Sequence, residues 1–235
     1  LKIYIVRKMM RFFGTRLWLR WTFITLAGFL VGGVLGMLGG FLGVPLIGYP
    51  LALVLPICQG QGAIGCFLIG ATVGAGLGLG LSVGTAQWFI LRSIVPRSWW
   101  WILASALGWC GIAYMLTMML YSAVPAPGSS DFGKPIWAII PSAWGAIAQV
   151  TLAGALMGLF QWLILRSTLR QSFWWIPANA FIMLLAALGV FIQGYNIGGL
   201  PGMGIFIVSF SPIYAVLSGS ILSWLVQQRR NQSAV

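Results

Sequence analysis

Residues Gly84–Ala106 read GTAQWFILRSIVPRSWWWILASA, and residues Gly158–Ala180 read GLFQWLILRSTLRQSFWWIPANA. Thirteen of the 23 positions are identical at an offset of 74 residues, without a gap. Each copy closes an apolar run with Gln-Trp-x-Ile-Leu-Arg-Ser, passes a short polar and basic turn, and reopens in Trp-Trp-Ile-x-Ala-x-Ala. Tryptophan and arginine gather where a helix leaves a bilayer, because an indole suits the headgroup region and a guanidinium reaches phosphate. Both segments therefore read as two helix ends joined at one membrane face, and their recurrence points to an architecture of repeated units.

Composition agrees. Of 235 residues, 60% are hydrophobic and 6% charged, whereas soluble domains carry about 25% charged residues to keep their surfaces hydrated. The chain is expected to be an all-α integral membrane protein. A membrane-spanning helix needs roughly 20 mainly apolar residues, and the stretches at about 17–38, 64–91, 99–121, 137–165, 173–193 and 204–226 qualify. Six transmembrane helices follow, preceded by a basic interfacial segment at 1–16 and followed by a tail at 227–235. The first stretch is too long for a signal peptide and lacks a small-residue cleavage site. Because residue 1 is Leu, the true N-terminus is left open.

Charge placement orients the spans. Lys2, Arg7, Lys8, Arg11, Arg16 and Arg20 precede or open the first span, Arg92 and Arg97 follow the second, Arg166 and Arg170 follow the fourth, and Arg229 and Arg230 follow the sixth. With six spans, these 12 basic residues share one side, and Lys134 lies on the other beside Asp131, the single acidic residue. The positive-inside rule then puts both termini in the cytoplasm. Within residues 1–16, apolar Ile3, Ile5, Val6, Met9, Phe12 and Phe13 interleave with basic residues, as in a helix lying on anionic lipid.

The outer parts of the chain echo the central copies faintly. Arg20-Trp21 with Gly28-Phe29 parallels Trp100-Trp101 with Gly108-Trp109, and Ser223-Trp224-Leu225-Val226 parallels Gln87-Trp88-Phe89-Ile90. The simplest account is three helical hairpins at about 17–91, 99–165 and 173–226, each returning to its starting side as parallel repeats. The Gly-x-x-Gln-Trp-x-x-Leu-Arg pattern with its Trp-rich continuation resembles small multipass membrane proteins of uncharacterised function from cyanobacteria and related bacteria. That resemblance rests on residues 84–106 and 158–180. It implies a helical membrane fold and a cyanobacterial-type setting, in a thylakoid or plasma membrane, without implying an activity.

The repeated residues suggest roles. Trp88 and Arg92, like Trp162 and Arg166, are four apart and share a helix face, a spacing that permits cation–π contact. With Trp100, Trp101, Trp174 and Trp175, they are expected to anchor the helix ends in the interface or to bind lipid headgroups. Gln87 and Gln161 lie about one turn inside that interface, where an amide needs a partner. Hydrogen bonding to a neighbouring helix, coordination of a pigment metal and the lining of a polar path are the alternatives. With Gln149 and Asn179, they are candidates for a polar cavity between repeats.

Gly28, Gly32 and Gly36 in the first span, and Gly70, Gly74 and Gly78 in the second, form small-xxx-small rows that allow close helix packing. A second row, Gly76, Gly80 and Gly84, leaves one row for an oligomer contact. The GxGxG run here lies inside an apolar span without a following Gly-Lys-Ser/Thr, so it does not read as a phosphate loop. Residues 41–61 contain Pro45, Pro50 and Pro56 and are expected to be interfacial or re-entrant. Residues 122–136 and 194–203 read as Pro/Gly turns. Cys58, Cys66 and Cys110 form no CxxC pair and are expected to be small apolar residues rather than a disulfide framework.

With no histidine and one carboxylate, His-containing triads, carboxylate pairs and His/Asp metal sites lack their raw material. Spread along loop edges, the basic residues do not suit a nucleic-acid partner. The leading reading is a non-catalytic accessory or scaffold protein that binds lipid, pigment (chlorophyll or carotenoid), partner subunits or further copies of itself. The alternative is a channel or carrier for a small neutral or anionic solute, which would pass the buried amides towards a basic inner mouth.

Overall fold

A computed structural model describes residues 2–54, 63–123, 136–169, 171–197 and 199–232. Helix α1 covers Lys2–Gly43 and continues through a π-turn, Val44–Gly48, into α2, Tyr49–Val54. There follow α3 (Ala63–Leu91), α4 (Trp100–Ala123), α5 (Ile136–Leu165), a 3-10 turn at Ser172–Trp174, α6 (Trp175–Ile197) and α7 (Gly199–Gln232). No strand occurs among the described residues. Apolar helical stretches long enough to cross a membrane occur at Arg16–Val54, Gly65–Leu91, Ile147–Leu165, Ser172–Val190 and Ser209–Arg229, with a shorter apolar stretch at Trp100–Leu116. The chain is thus an integral, multipass membrane protein.

As far as Val54, the proline-rich residues 41–61 are helical, so Pro45 and Pro50 do not break the chain's first long helix. Pro45 lacks an N–H and crowds the carbonyl four residues back, which breaks a regular α-turn. The chain widens locally instead, and the Tyr49 N–H donates to the Val44 carbonyl five residues earlier. Pro50 then sits in the first turn of α2. A π-turn absorbs the proline without leaving the helix. The remainder, 55–62, lies outside the described residues, as does most of the 122–136 turn. The 194–203 turn is shorter than expected, because α6 runs to Ile197 and α7 starts at Gly199. Pro201 is accommodated in the first turn of α7, where its missing N–H had no intrahelical partner.

Long helices that follow one another in sequence pack side by side, and α7 returns to α1, closing a ring. Two glycine rows of α3 set its neighbours. Gly70, Gly74 and Gly78 press on α1 at Gly43, Gly39 and the Leu35–Gly36 backbone, while Gly76, Gly80 and Gly84 press on α4 around Cys110, Ala106 and Ser105. Both rows are therefore used within the chain, and neither is left for an oligomer contact. On α1 the row Gly28, Gly32 and Gly36 meets Val83, Leu79 and Ala75, while the closest approaches belong to Gly39 and Gly43.

The ring's interior is built from the same i, i+4, i+8 pattern on each helix. Towards the ends joined by the short turns, Trp21, Trp101 and Trp175 are buried with Leu91, Leu165 and Leu222. One turn further in come Thr25, Ser105 and Asn179 with Gln87, Gln161 and Ser218. The next turn supplies Phe29, Trp109 and Met183 with Val83, Met157 and Tyr214. Two apolar clusters are thereby separated by one polar level.

Cysteine usage also departs from expectation. Cys66, at the start of α3, is in a disulfide, while the Cys110 thiol is free and donates to the Val73 carbonyl at 3.5 Å. An odd cysteine count forbids complete pairing but does not forbid a single bridge.

Candidate functional site

The polar level is a set of cross-helix hydrogen bonds. The Trp101 indole N–H of α4 donates to Gln87 Oε1 of α3 at 2.9 Å, and the Gln87 amide donates to Thr25 Oγ1 of α1 at 3.3 Å. Seventy-four residues later the arrangement recurs. Trp175 of α6 donates to Gln161 Oε1 of α5 at 2.7 Å, and Gln161 donates to Ser105 Oγ of α4 at 3.1 Å. Each glutamine thus ties three helices together. Between α1 and α7, Trp21 donates to Ser218 Oγ at 3.0 Å.

Serine is too short to repeat the second half of the pattern. Asn179, one turn along α6 from Trp175, donates instead to its own helix at the Trp175 carbonyl, 2.8 Å away. Its Oδ1 is buried without a hydrogen-bond partner, as are Tyr214 Oη and Trp109 Nε1. Gln87 lies near the Tyr214 hydroxyl, yet outside hydrogen-bonding geometry. An unsatisfied buried group costs about 1–3 kcal/mol, so this side of the core is the weaker one.

The indoles also touch one another. Ring centroids are 6.2 Å apart for Trp21 and Trp101, 6.3 Å for Trp21 and Trp175, and 5.7 Å for Trp101 and Trp175. Two of these contacts are edge-on, the geometry favoured by aromatic quadrupoles. Below the polar level, Phe29, Trp109 and Tyr214 form a second triangle with centroids 5.3, 5.5 and 5.6 Å apart.

Several expectations change here. Trp101 and Trp175 are 0% and 1% exposed, so they are core residues rather than members of an interfacial belt. Their indole N–H groups find amide oxygens inside the bundle, which removes the reason to stay at the headgroups. Trp100 and Trp174 remain half exposed. Gln149 is exposed and does not join Gln87, Gln161 and Asn179: a row of every fourth residue drifts by about 40° per step, so by Gln149 the row through Leu165, Gln161 and Met157 has turned off the inner face, which Ile147 and Val150 occupy there. On α7 the tryptophan bond goes to Ser218, although the faint echo of the repeat sets Ser223 opposite Gln87. Sequence reading did not assign roles to Thr25, Ser105, Ser218 or Tyr214, although the spacing Trp-x-x-x-Thr/Ser/Asn at 21–25, 101–105 and 175–179 was available as a signal.

At the helix ends, the Arg92 guanidinium carbon lies 5.5 Å from the Trp88 ring centroid and 5.1 Å from that of Phe89. Arg166 lies 5.4 Å from Trp162. Both arginines are exposed. Between α3 and α4, Arg97 has φ 56°, a left-handed conformation that costs a non-glycine residue roughly 1–2 kcal/mol. Beside it an open groove of about 750 Å³ runs between α4 and α5. A smaller groove of about 400 Å³, almost wholly apolar, lies between α5 and α6 near Trp144 and Leu184.

Among the described residues there is no cluster of three metal-ligating side chains. No family model, curated protein or solved structure matches the chain.

Proposed function

We propose that the protein is a non-catalytic accessory or scaffold subunit of a membrane assembly, built as three parallel helical hairpins, α1–α3, α4–α5 and α6–α7. The observation that carries this reading is the disposition of its polar groups. Gln87 and Gln161 are spent on joining helices, so the interior offers a rigid plug rather than a reaction centre. In contrast, α1 and the π-turn that continues it turn an apolar stripe outward, with Leu30, Met37, Phe41 and Leu46 each more than 70% exposed. Lipid or a partner helix would cover such a stripe. A pigment is a further candidate for the exposed faces, but ligation of its metal by Gln87 or Gln161 would require opening the core.

Purification of the full chain in gentle detergent is expected to recover a partner subunit, a second copy or a bound pigment, read by mass spectrometry and absorption. A lone monomer with neither would overturn the proposal. The channel or carrier alternative is less well supported, since the amides that would line its path are bonded to Trp101 and Thr25 and to Trp175 and Ser105, one turn behind the buried indole triangle. Proteoliposomes are expected to show no anion or neutral-solute flux above protein-free vesicles.

The same reading places both termini in the cytoplasm. Arg20, Arg92, Arg97, Arg166 and Arg229 cluster at one set of helix ends, and the disulfide at Cys66 lies at the opposite end of α3. Disulfides persist in oxidising compartments, so two unrelated features favour the same orientation. In right-side-out vesicles, Ser93→Cys in a Cys110→Ser background should resist a membrane-impermeant maleimide until the membrane is permeabilised. Labelling of intact vesicles would reverse the topology.

A further inference from the structure

We infer that the groove between α4 and α5 is a binding site for an anionic phospholipid, a conclusion that rests on the lipid-binding part of the proposal above. Its mouth is formed by Arg97 and Ser167, and its walls by Trp100, Leu103, Leu107 and Phe160. The volume of about 750 Å³ falls within the range of small-molecule sites, about 300–1,000 Å³. From Trp100 to Leu107 it follows α4 inward for about 10 Å at 1.5 Å per residue. A charged and hydroxylic mouth above an apolar trough matches a phosphate head with its acyl chain. A free anion would leave the trough uncovered, and a zwitterionic lipid would bring a cation to the guanidinium along with its phosphate, whereas an anionic one brings net negative charge.

Arg97 is what sets this groove apart from an ordinary lipid-facing crevice. It follows Pro96, whose ring fixes the turn, and it adopts the left-handed φ that glycine would adopt without strain. In the second copy of the repeat, the residue 74 positions on is Gln171, with φ −98° and no charge. Thirteen of 23 positions are shared between the copies, but the second turn carries its basic residue at 170 instead, and among the described residues Arg97 is the non-glycine residue with positive φ; it borders the larger groove. Strain of this kind persists where a side chain is needed in one place. Within the chain no carboxylate competes for it. Asp131 is the single acidic residue, and it lies in sequence beyond the opposite end of α4.

The test is native mass spectrometry of the full chain in detergent, titrated separately with phosphatidylglycerol and phosphatidylcholine. The wild type is expected to retain one phosphatidylglycerol with about fivefold preference over phosphatidylcholine, the ratio expected from one basic residue at a membrane surface. Arg97→Gly should erase that preference while thermal unfolding stays unchanged or moves upward, because the substitution also relieves the backbone. Leu107→Trp, which fills the trough from an exposed position, should reduce retention with the charge intact. Millimolar inorganic phosphate should not displace the lipid. Equal retention of the two lipids, an Arg97→Gly variant that keeps the preference, or displacement by phosphate alone would each overturn the site. Partner or pigment recovery is read in a separate purification, so a vacant groove leaves the scaffold reading standing and a lone monomer leaves the groove standing.

Discussion

Gly74→Leu is expected to prevent recovery of the folded chain from membranes, whereas Gly33→Leu, on the other side of α1, should purify like the wild type. A Cβ at Gly74 would meet the Gly39 backbone, with the Gly43 Cα 3.1 Å away. At Gly33 nothing lies within 4 Å. Overpacking a core normally costs about 1–3 kcal/mol, because neighbouring side chains can rotate aside. The obstacle at Gly74 is the backbone of α1, which cannot rotate aside, so α1 and α3 must separate along their seam. The same seam also holds Gly43 against Gly70 and Gly78 against Leu35. Losing it would remove a large part of a total stability of about 5–15 kcal/mol. Fluorescence-detected size exclusion and thermal unfolding in detergent read the difference. Equal behaviour of the two variants would show that the close approach is not required.

The residues of this seam illustrate what the sequence makes legible. Glycines four apart announce a close helix contact, and they were sufficient to pair the first two spans. They do not say which of two adjacent rows meets which neighbour. That choice depends on the rotation of α3, and the rotation is set by Val83, Gln87 and Leu91 facing inward. Spans were readable because hydrophobic length is a local property. The π-turn at Val44–Gly48 was not, since a proline signals a disturbance without saying whether the helix breaks or widens. Within the repeat, Trp100 and Trp101 are adjacent and chemically identical, yet one is half exposed and the other fully buried. A belt rule assigns tryptophan to the interface by type, and it cannot separate neighbours that differ by 100° of helix rotation. What separates them is the partner. Trp101 stands on the face that meets Gln87, and the matching 14-residue interval from Gln161 to Trp175 was already in the repeat.

That pairing leads to the second large effect, a coupling between Gln161 and Trp175. Trp175→Ala is expected to destabilise the chain by about 3–5 kcal/mol, the range for deleting a large buried aromatic side chain. The loss would also remove ring contacts to Trp21 and Trp101 at 6.3 and 5.7 Å. Trp175→Phe is the more informative change. It keeps most of the ring, removes the N–H, and leaves Gln161 Oε1 without its donor at a cost of about 1–3 kcal/mol. Gln161→Met should cost a similar amount, because both the Trp175 indole and the Ser105 hydroxyl then lose their amide partner. If the bond is a real link between α5 and α6, the double variant Trp175→Phe with Gln161→Met should be less destabilised than the sum of the two. The difference should be about 0.6–2 kcal/mol, the span measured for polar contacts inside membranes. Ser218 provides an internal comparison. Trp21→Phe removes a bond to a short hydroxyl that also lies 3.4 Å from the Ala215 carbonyl. Ser218 therefore keeps a partner after the change, and Trp21→Phe should cost less than Trp175→Phe. Reversible unfolding in mixed micelles, followed by tryptophan fluorescence and circular dichroism, gives all five values. Strict additivity at Gln161 and Trp175, or a larger loss at Trp21, would show that the glutamines do not tie the helices together.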